Sequence, residues 1–171
     1  MNTATEVQAL SDTRAAQAAR PAAALGAVQD IASPVTVTVA TDADAQRWQA
    51  WVDAHPQASI YHAWAWRSVL QQAFGHRPHY LVANRAGRIV GVLPLAQVKT
   101  LLFGHSLVSL PFCPYAGPLG EDRAALDALD HHAEALAREL GVDHLEYRSL
   151  GPSHRGWPSQ DLYVVFRKAL S

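Results

Sequence analysis

Two short stretches of this sequence carry side chains that could bind and activate a substrate. The first is the loop Pro111–Pro118, in which Phe112, Tyr115 and Gly117 could form a concave wall for a sugar or peptide group. The alternative is that the two aromatic rings only cover the edge of the hydrophobic core. Because loops that follow strands commonly carry function, both interpretations stay open at this point.

The second stretch reads HLEYR and begins at His144. Alternation along a strand places Glu146 and Arg148 on the same face as His144, with Leu145 and Tyr147 on the other face. Such a polar face could line a cleft, where Arg148 would contact the substrate and Glu146 would act as base toward an attacking amine. The alternative is a face exposed to solvent or in contact with another domain, as is common in antiparallel sheets.

The other reactive residue types match no catalytic or metal-binding motif. Cys113 is the only cysteine and has no base near it in sequence, so we predict a small, buried, apolar role for it. The nine histidines lack Cys₂His₂ or H-E-x-x-H spacing. His131 and His132 are adjacent, which places them about 100° apart on a helix. We therefore predict no metal site.

Composition indicates one folded domain with ordinary surface chemistry. The chain has 171 residues, of which 49% are hydrophobic, enough to bury a core. The net charge of −1 gives no reason to expect nucleic acid or an anionic membrane as a partner. A single cysteine excludes an internal disulfide, and no apolar run is long enough to span a bilayer. These features favour a cytoplasmic location.

The first residues differ from the rest of the chain. Residues 1–33 are rich in Ala, Gln, Ser and Thr, so we predict a disordered tail that cannot bury enough apolar surface to fold. A transient helix from Thr5 to Ala19 is the alternative. Pro34 then marks the start of a domain that comprises residues 34–171.

Within that domain, apolar periodicity predicts three helices and about six strands, in an α+β order. Trp51, Trp66, Leu129 and Leu136 lie on the apolar stripes of the helices and are predicted to belong to the core. The helices are predicted from Thr41 to His55, from His62 to Phe74 and from Arg123 to Leu140, and the strands at Val35–Val39, His79–Ala83, Arg88–Val98, Ser106–Leu110, Asp143–Arg148 and Leu162–Arg167.

Several strings along this domain occur together in one known family. They are HP-x-AS from His55, AFGHRPHYL from Ala73, GRIVGVLPL from Gly87, LFG from Leu102, PFCPYAGPL from Pro111, LGVDHLEYR from Leu140 and WPSQDLYVVFRKAL from Trp157. In this combination the chain resembles the N-terminal half of a FemAB-like acyltransferase of the GNAT superfamily. The most similar group is the FemAB proteins associated with exosortase/PEP-CTERM systems. The likeness covers about 135 residues from Val35 onward, the size of one domain.

The resemblance implies a GNAT-like sheet, mixed and largely antiparallel, and an N-acyltransferase activity. In the full-length family, substrate lies in a cleft between two GNAT-like halves, and an amine attacks an acyl group carried by acyl-coenzyme A or aminoacyl-tRNA. The implied process is envelope, exopolysaccharide or peptidoglycan biogenesis. This chain would supply the first half, inactive alone, and its partner would be a second GNAT-like domain or another copy of itself.

One departure limits what the resemblance implies about this chain. GNAT enzymes bind pyrophosphate with an Arg/Gln-x-x-Gly-x-Gly/Ala loop, and no such string is present. We therefore expect no cofactor in this chain and assign no catalytic residue. Two alternatives stay open: a non-catalytic module that binds a glycan, peptide or protein, and a self-sufficient small acetyltransferase, against which the missing loop argues.

Overall fold

The computed structural model describes residues 33–100, 104–150 and 156–160. In these residues three helices pack on the two faces of a mixed, largely antiparallel sheet, which confirms the predicted α+β class. The predicted tail, apart from Ser33, and the predicted strand Leu162–Arg167 lie outside the described residues. The helices are α1 (Ala45–Ala54), α2 (Trp66–Phe74) and α3 (Arg123–Leu140), and the strands are β1 (Thr36–Val39), β2 (Arg77–Arg85), β3 (Arg88–Thr100), β4 (Gly104–Ser109), β5 (Leu119–Gly120) and β6 (His144–Glu146).

The sheet has the order β1-β2-β3-β4-β6, and β5 pairs with β3 beside β4. All pairs are antiparallel except β4 with β6, which run parallel. On β3, Leu95 faces Ser109 of β4 and Val92 faces Leu119 of β5. The aromatic loop, Leu110–Pro118, therefore leaves one edge of β3 and returns to the same edge.

Strand alternation divides the core between the two faces of the sheet. Tyr80 and Val82 point toward α1 and α2, whereas Leu81 and Ala83 point toward α3. The turn between β2 and β3 consists of Ala86 and Gly87, both at positive φ, so the strands extend closer to the turn than the sequence predicted. In the described residues no helix combines the length and the apolar character needed to cross a bilayer.

Helix α3 has the predicted bounds because both of its ends are fixed by capping residues. The Asp122 carboxylate accepts a hydrogen bond from the Ala125 backbone N–H, and Gly141 ends the helix in the left-handed region, with φ of 62°. The predicted core residues Leu129 and Leu136 are buried on its inner face.

The predictions for the first two helices are partly wrong. In α1 the fully buried tryptophan is Trp48, whereas Trp51 is half-buried and stacks on His55. Helix α2 begins at Trp66, after a 3₁₀ turn at Ile60–His62, and Trp66 is half-buried at the rim of the core. An apolar stripe identifies the inner face of a helix, but it does not show which residues of that face are covered by neighbouring elements.

Candidate functional site

The aromatic loop lies where the parallel strands β4 and β6 separate. Their last paired residues are Val108 and Glu146. Beyond them the Arg148 backbone N–H donates to Ser109 Oγ at 2.7 Å, and the Ala116 N–H donates to the Arg148 carbonyl at 2.8 Å. The loop therefore fills the opening between the strands, and it brings together the two stretches that the sequence marked as separate candidates.

Gly117 lies at a crowded junction, where a side chain would require Ser149 to move. A Cβ at this position would collide with Ser149 Oγ and would lie 3.1 Å from Ser149 Cβ. The residue is buried, and its carbonyl oxygen lies 3.1 Å from His62 Nε2. Gly117, which the sequence predicted as part of a concave wall, is therefore a buried residue that positions the loop.

His62, which the sequence did not mark as a site residue, connects this loop to the 3₁₀ turn that precedes α2. Its Nδ1 accepts a hydrogen bond from the Ser59 backbone N–H at 3.2 Å, so the ring proton lies on Nε2 and is donated to the Gly117 carbonyl. Trp48 Nε1 donates to the His62 carbonyl at 2.8 Å. The spacing Ser59-x-x-His62, a variant of the capping box with His in place of Glu, was the available signal.

We expect acid to destabilise the protein through His62. Burial lowers the pKa of its imidazole, and the charge of nearby His55 acts in the same direction, although the hydrogen bond to the Gly117 carbonyl opposes the shift. Burial also lowers the pKa of His79. The stability is complete above the unfolded pKa of about 6.5 and is lost as the pH falls below it, because the unfolded chain then binds protons that the folded chain excludes.

Urea melts between about pH 7.5 and pH 5 measure this loss, which reaches at most about 1.4 kcal/mol per pH unit for each histidine. His62→Gln removes one titrating group while keeping a donor for the Gly117 carbonyl, so its stability should depend less steeply on pH. The control is His144→Gln, at an exposed position on β6. If the free energy of unfolding of His62→Gln changed with pH as steeply as that of the unaltered protein, the prediction would be contradicted.

The two aromatic residues of the loop have different environments. Phe112 is 62% exposed and lies against Phe74 and His76. Tyr115 is half-buried, with its ring edge-on to Tyr61 at a centroid distance of 5.3 Å. Tyr115 therefore packs at the edge of the core, as the second interpretation of the loop expects, whereas Phe112 presents its ring to solvent.

Glu146 and Arg148 lie side by side, consistent with one polar face. Arg148 Nε donates to Glu146 Oε1 at 2.7 Å, and both side chains are partly exposed. His144 begins the same face and is exposed. The pair can contact a polar ligand next to the loop, since the Arg148 backbone is bonded to the loop itself.

Cys113 is buried in the core cluster that faces α1 and α2, which confirms its predicted apolar role. Burial raises the pKa of its thiol, only partly opposed by the charge of Arg148, so the reactive thiolate is disfavoured. Among the residues that the structure describes, no group of three His, Cys, Asp or Glu side chains is arranged to hold a metal ion.

Comparison with known proteins identifies the fold. No protein-family model matches the sequence, and no curated protein matches it. Among solved structures, AAC(6')-Iy in complex with the bisubstrate analogue CoA-S-monomethyl-acetylneamine has a TM-score of 0.55 at 13% identity, covering 81% of this chain and 100% of that one. A Staphylococcus aureus GNAT family acetyltransferase (TM-score 0.51, 11% identity) and a Bacillus halodurans transcriptional regulator (0.51, 12%) each cover 80% of this chain and 99% of their own.

These similarities show that the described part of the chain has a GNAT-like fold, as the resemblance implied. At 11–13% identity they show the fold alone. Whether this chain can hold a coenzyme A diphosphate depends on its own residues, because helix N-termini bind phosphate through free backbone N–H groups.

The start of α3 does not fit a diphosphate. The Asp122 carboxylate already accepts the Ala125 N–H at 2.9 Å, and it would repel a phosphate placed there. Arg85, buried at the end of β2, donates to both oxygens of Asp122 at 2.6 and 3.1 Å. The Arg85 guanidinium and the N-terminus of α3 thus both bind the carboxylate of Asp122. The described residues at this position therefore do not form a site for the diphosphate of coenzyme A.

Proposed function

We propose that this chain is the acceptor-binding, N-terminal half of a FemAB-like N-acyltransferase that acts on an amine in envelope, exopolysaccharide or peptidoglycan biogenesis. The GNAT-like fold and the FemAB-like strings support the reaction class. The observation that supports binding of the acyl donor outside this chain is the start of α3, where Asp122 and Arg85 occupy the position that a phosphate would take. Acyl-coenzyme A or aminoacyl-tRNA would therefore bind to a second GNAT-like domain or to another copy of the chain.

In this proposal the chain binds and orients the acceptor beside the aromatic loop. The amine nitrogen attacks the acyl carbonyl carbon, a C–N bond forms, the C–S or C–O bond to the donor breaks, and the amine loses a proton. Glu146, partly exposed and held by Arg148, is the carboxylate beside the loop that would contact the amine and take its proton. Phe112 and Tyr115 contact the body of the acceptor, and Gly117 keeps the loop in place.

The second candidate function is a non-catalytic module that binds a glycan, peptide or protein through the same loop. The exposure of Phe112 favours it as much as it favours an acceptor site. The two functions differ in whether an acyl group is transferred once a donor-binding domain is present. We propose a cytoplasmic location for either function, with which the single cysteine is compatible.

Calorimetry with acetyl-coenzyme A tests whether the acyl donor binds outside this chain. The chain alone should show no saturable heat of binding, corresponding to a Kd weaker than about 1 mM. The reason is that the Asp122 carboxylate already caps the N-terminus of α3, where a phosphate would otherwise bind. A GNAT enzyme that binds acetyl-coenzyme A serves as the control under the same conditions. Micromolar affinity in the isolated chain would overturn the half-enzyme proposal and favour a self-sufficient small acetyltransferase.

Transfer itself is tested by adding a second GNAT-like domain that binds the acyl donor. Labelled acyl groups from acyl-coenzyme A or aminoacyl-tRNA should then reach an amine only when both parts are present. Glu146→Gln should reduce the rate without preventing the two parts from associating. Association without transfer of any label would favour the binding module.

A further inference from the structure

We infer that the outer face of the Phe112 ring is a stacking site for one sugar ring of an amino-sugar-containing glycan. The inference rests on the proposed function, because it names the class of acceptor that the aromatic loop would hold.

The first observation is that the Phe112 ring is supported on one side and open on the other. Its centroid lies 4.4 Å from that of Phe74 at an interplanar angle of 26°, and 5.7 Å from that of His76 at 10°. The same ring is 62% exposed. Two aromatic rings therefore hold Phe112 in a fixed orientation, and its opposite face is presented to solvent.

The second observation is that this arrangement disfavours folding. Phe112 has φ of 70° and Leu110 has φ of 52°, both in the left-handed region that residues with a Cβ avoid. Glycine would adopt φ of 70° at position 112 without strain, and an exposed ring adds little to the core. Strain of this kind persists at binding and catalytic sites, where it serves to hold a side chain in position.

The third observation is the size of the surface. Phe112 is 62% exposed and Phe74 is 45% exposed. With about 150–250 Å² of surface for each aromatic side chain, the two together present roughly 200 Å². A stable protein interface buries about 800 Å² per partner, so this surface is too small for one and matches a single ring of a ligand.

The chemistry of the surface favours a sugar over another flat aromatic group. The faces of aromatic rings carry negative charge density, which attracts the polarised C–H groups of a pyranose and, more strongly, a protonated amino group. An amino sugar offers both the C–H groups and the protonated amino group, and that amine becomes the nucleophile of the proposed reaction once it has lost a proton.

The test is a titration of the full chain with the glucosamine trimer, followed by ¹H–¹⁵N NMR. We expect saturable shifts at residues of the aromatic loop, with Kd in the millimolar range that is usual for one stacked ring and a few hydrogen bonds. Phe112→Ala should weaken binding at least about tenfold, and Phe112→Trp should restore it, because the indole offers a larger face. Ile60→Ala, at a position that is 73% exposed, is the matched control and should bind as the unaltered chain does.

Phe112→Gly is the control that distinguishes loss of the ring from loss of folding. It removes both the ring and the strain, so it should melt at a higher temperature than Phe112→Ala and yet bind the trimer equally poorly. Absence of saturable shifts in the unaltered chain, or equal binding by Phe112→Ala, would overturn the inference. So would binding of a lysine-containing peptide in place of the trimer, if Phe112→Ala abolishes it.

The stacking site and the acyltransferase activity can be confirmed or rejected independently of each other. Trimer binding that depends on Phe112, with no acyl transfer in the reconstituted pair, would keep the stacking site and reject the acyltransferase. Acyl transfer to an amine that is unaffected by Phe112→Ala would keep the acyltransferase and reject the stacking site.

Discussion

Trp48→Ala should lose about 3–5 kcal/mol of the free energy of unfolding, a large part of the total stability of a small domain. Trp48 is fully buried, and its ring packs against Trp64 at 5.7 Å and Tyr80 at 5.0 Å between centroids. Its Nε1 also donates to the His62 carbonyl, so the substitution removes a buried hydrogen bond along with the ring. The free energy of unfolding is measured by urea melts at neutral pH.

Trp51→Ala is the matched control, since it removes the same side chain from the same helix. Trp51 is half-buried, and its ring stacks on His55 at the end of α1. We expect it to lose about 1 kcal/mol, near the average for single substitutions, because Trp51 is only partly buried against the core. If the two variants lost equal amounts of the free energy of unfolding, Trp48 and Trp51 would be equally buried, which would contradict the deeper position of Trp48.

The difference between these tryptophans shows what the sequence can and cannot predict about a helix. The apolar positions Trp48, Trp51 and Val52, spaced as on one side of a helix, do lie on the inner face of α1. This spacing does not show which tryptophan lies deepest, because that depends on Tyr80 and Trp64, which reach the same space from other elements. Helix α3 is predicted more completely, since its capping residues and its apolar stripe are both local features.

The candidate site has the same division between local and non-local information. The sequence predicts Phe112, Tyr115, Glu146 and Arg148 as candidate binding residues, but it places them in two separate stretches. Only the parallel pairing of β4 with β6 places the loop against Arg148. His62 was missed as a site residue for the same reason, since its hydrogen bond to the Gly117 carbonyl joins residues that are 55 positions apart.

The end of β2 and the start of α3 are joined by an ion pair between Arg85 and Asp122. Arg85, with 5% of its side chain exposed, donates two hydrogen bonds to Asp122, whose side chain is 37% exposed. Asp122→Ala removes this bidentate contact and the N-cap of α3 together. We expect a loss of about 2–4 kcal/mol, below the value for a fully buried pair because solvent screens the exposed part of Asp122.

Asp122→Asn and Asp127→Ala separate the two contributions. Asparagine keeps an oxygen for the Ala125 N–H and loses only the charge, so it should lose less than alanine does. Asp127 pairs with Arg123 on the exposed side of the same helix, and its removal should change the stability by less than about 0.5 kcal/mol. If Asp122→Ala lost no more stability than Asp127→Ala, the contact with Arg85 would be unimportant.

The dependence on pH provides an independent measurement of the same contact. The hydrogen bonds from Arg85 lower the pKa of the Asp122 carboxyl, and the N-cap bond from Ala125 lowers it further. The resulting stability is complete above the unfolded pKa of about 3.9 and is lost as the pH falls below it toward the lower folded pKa. The difference in stability between the unaltered protein and Asp122→Ala, measured by urea melts, should therefore shrink below about pH 4, because protonated Asp122 no longer carries the charge that attracts Arg85. A difference that stays constant down to about pH 2.5 would show that Asp122 acts through a contact that does not need its charge.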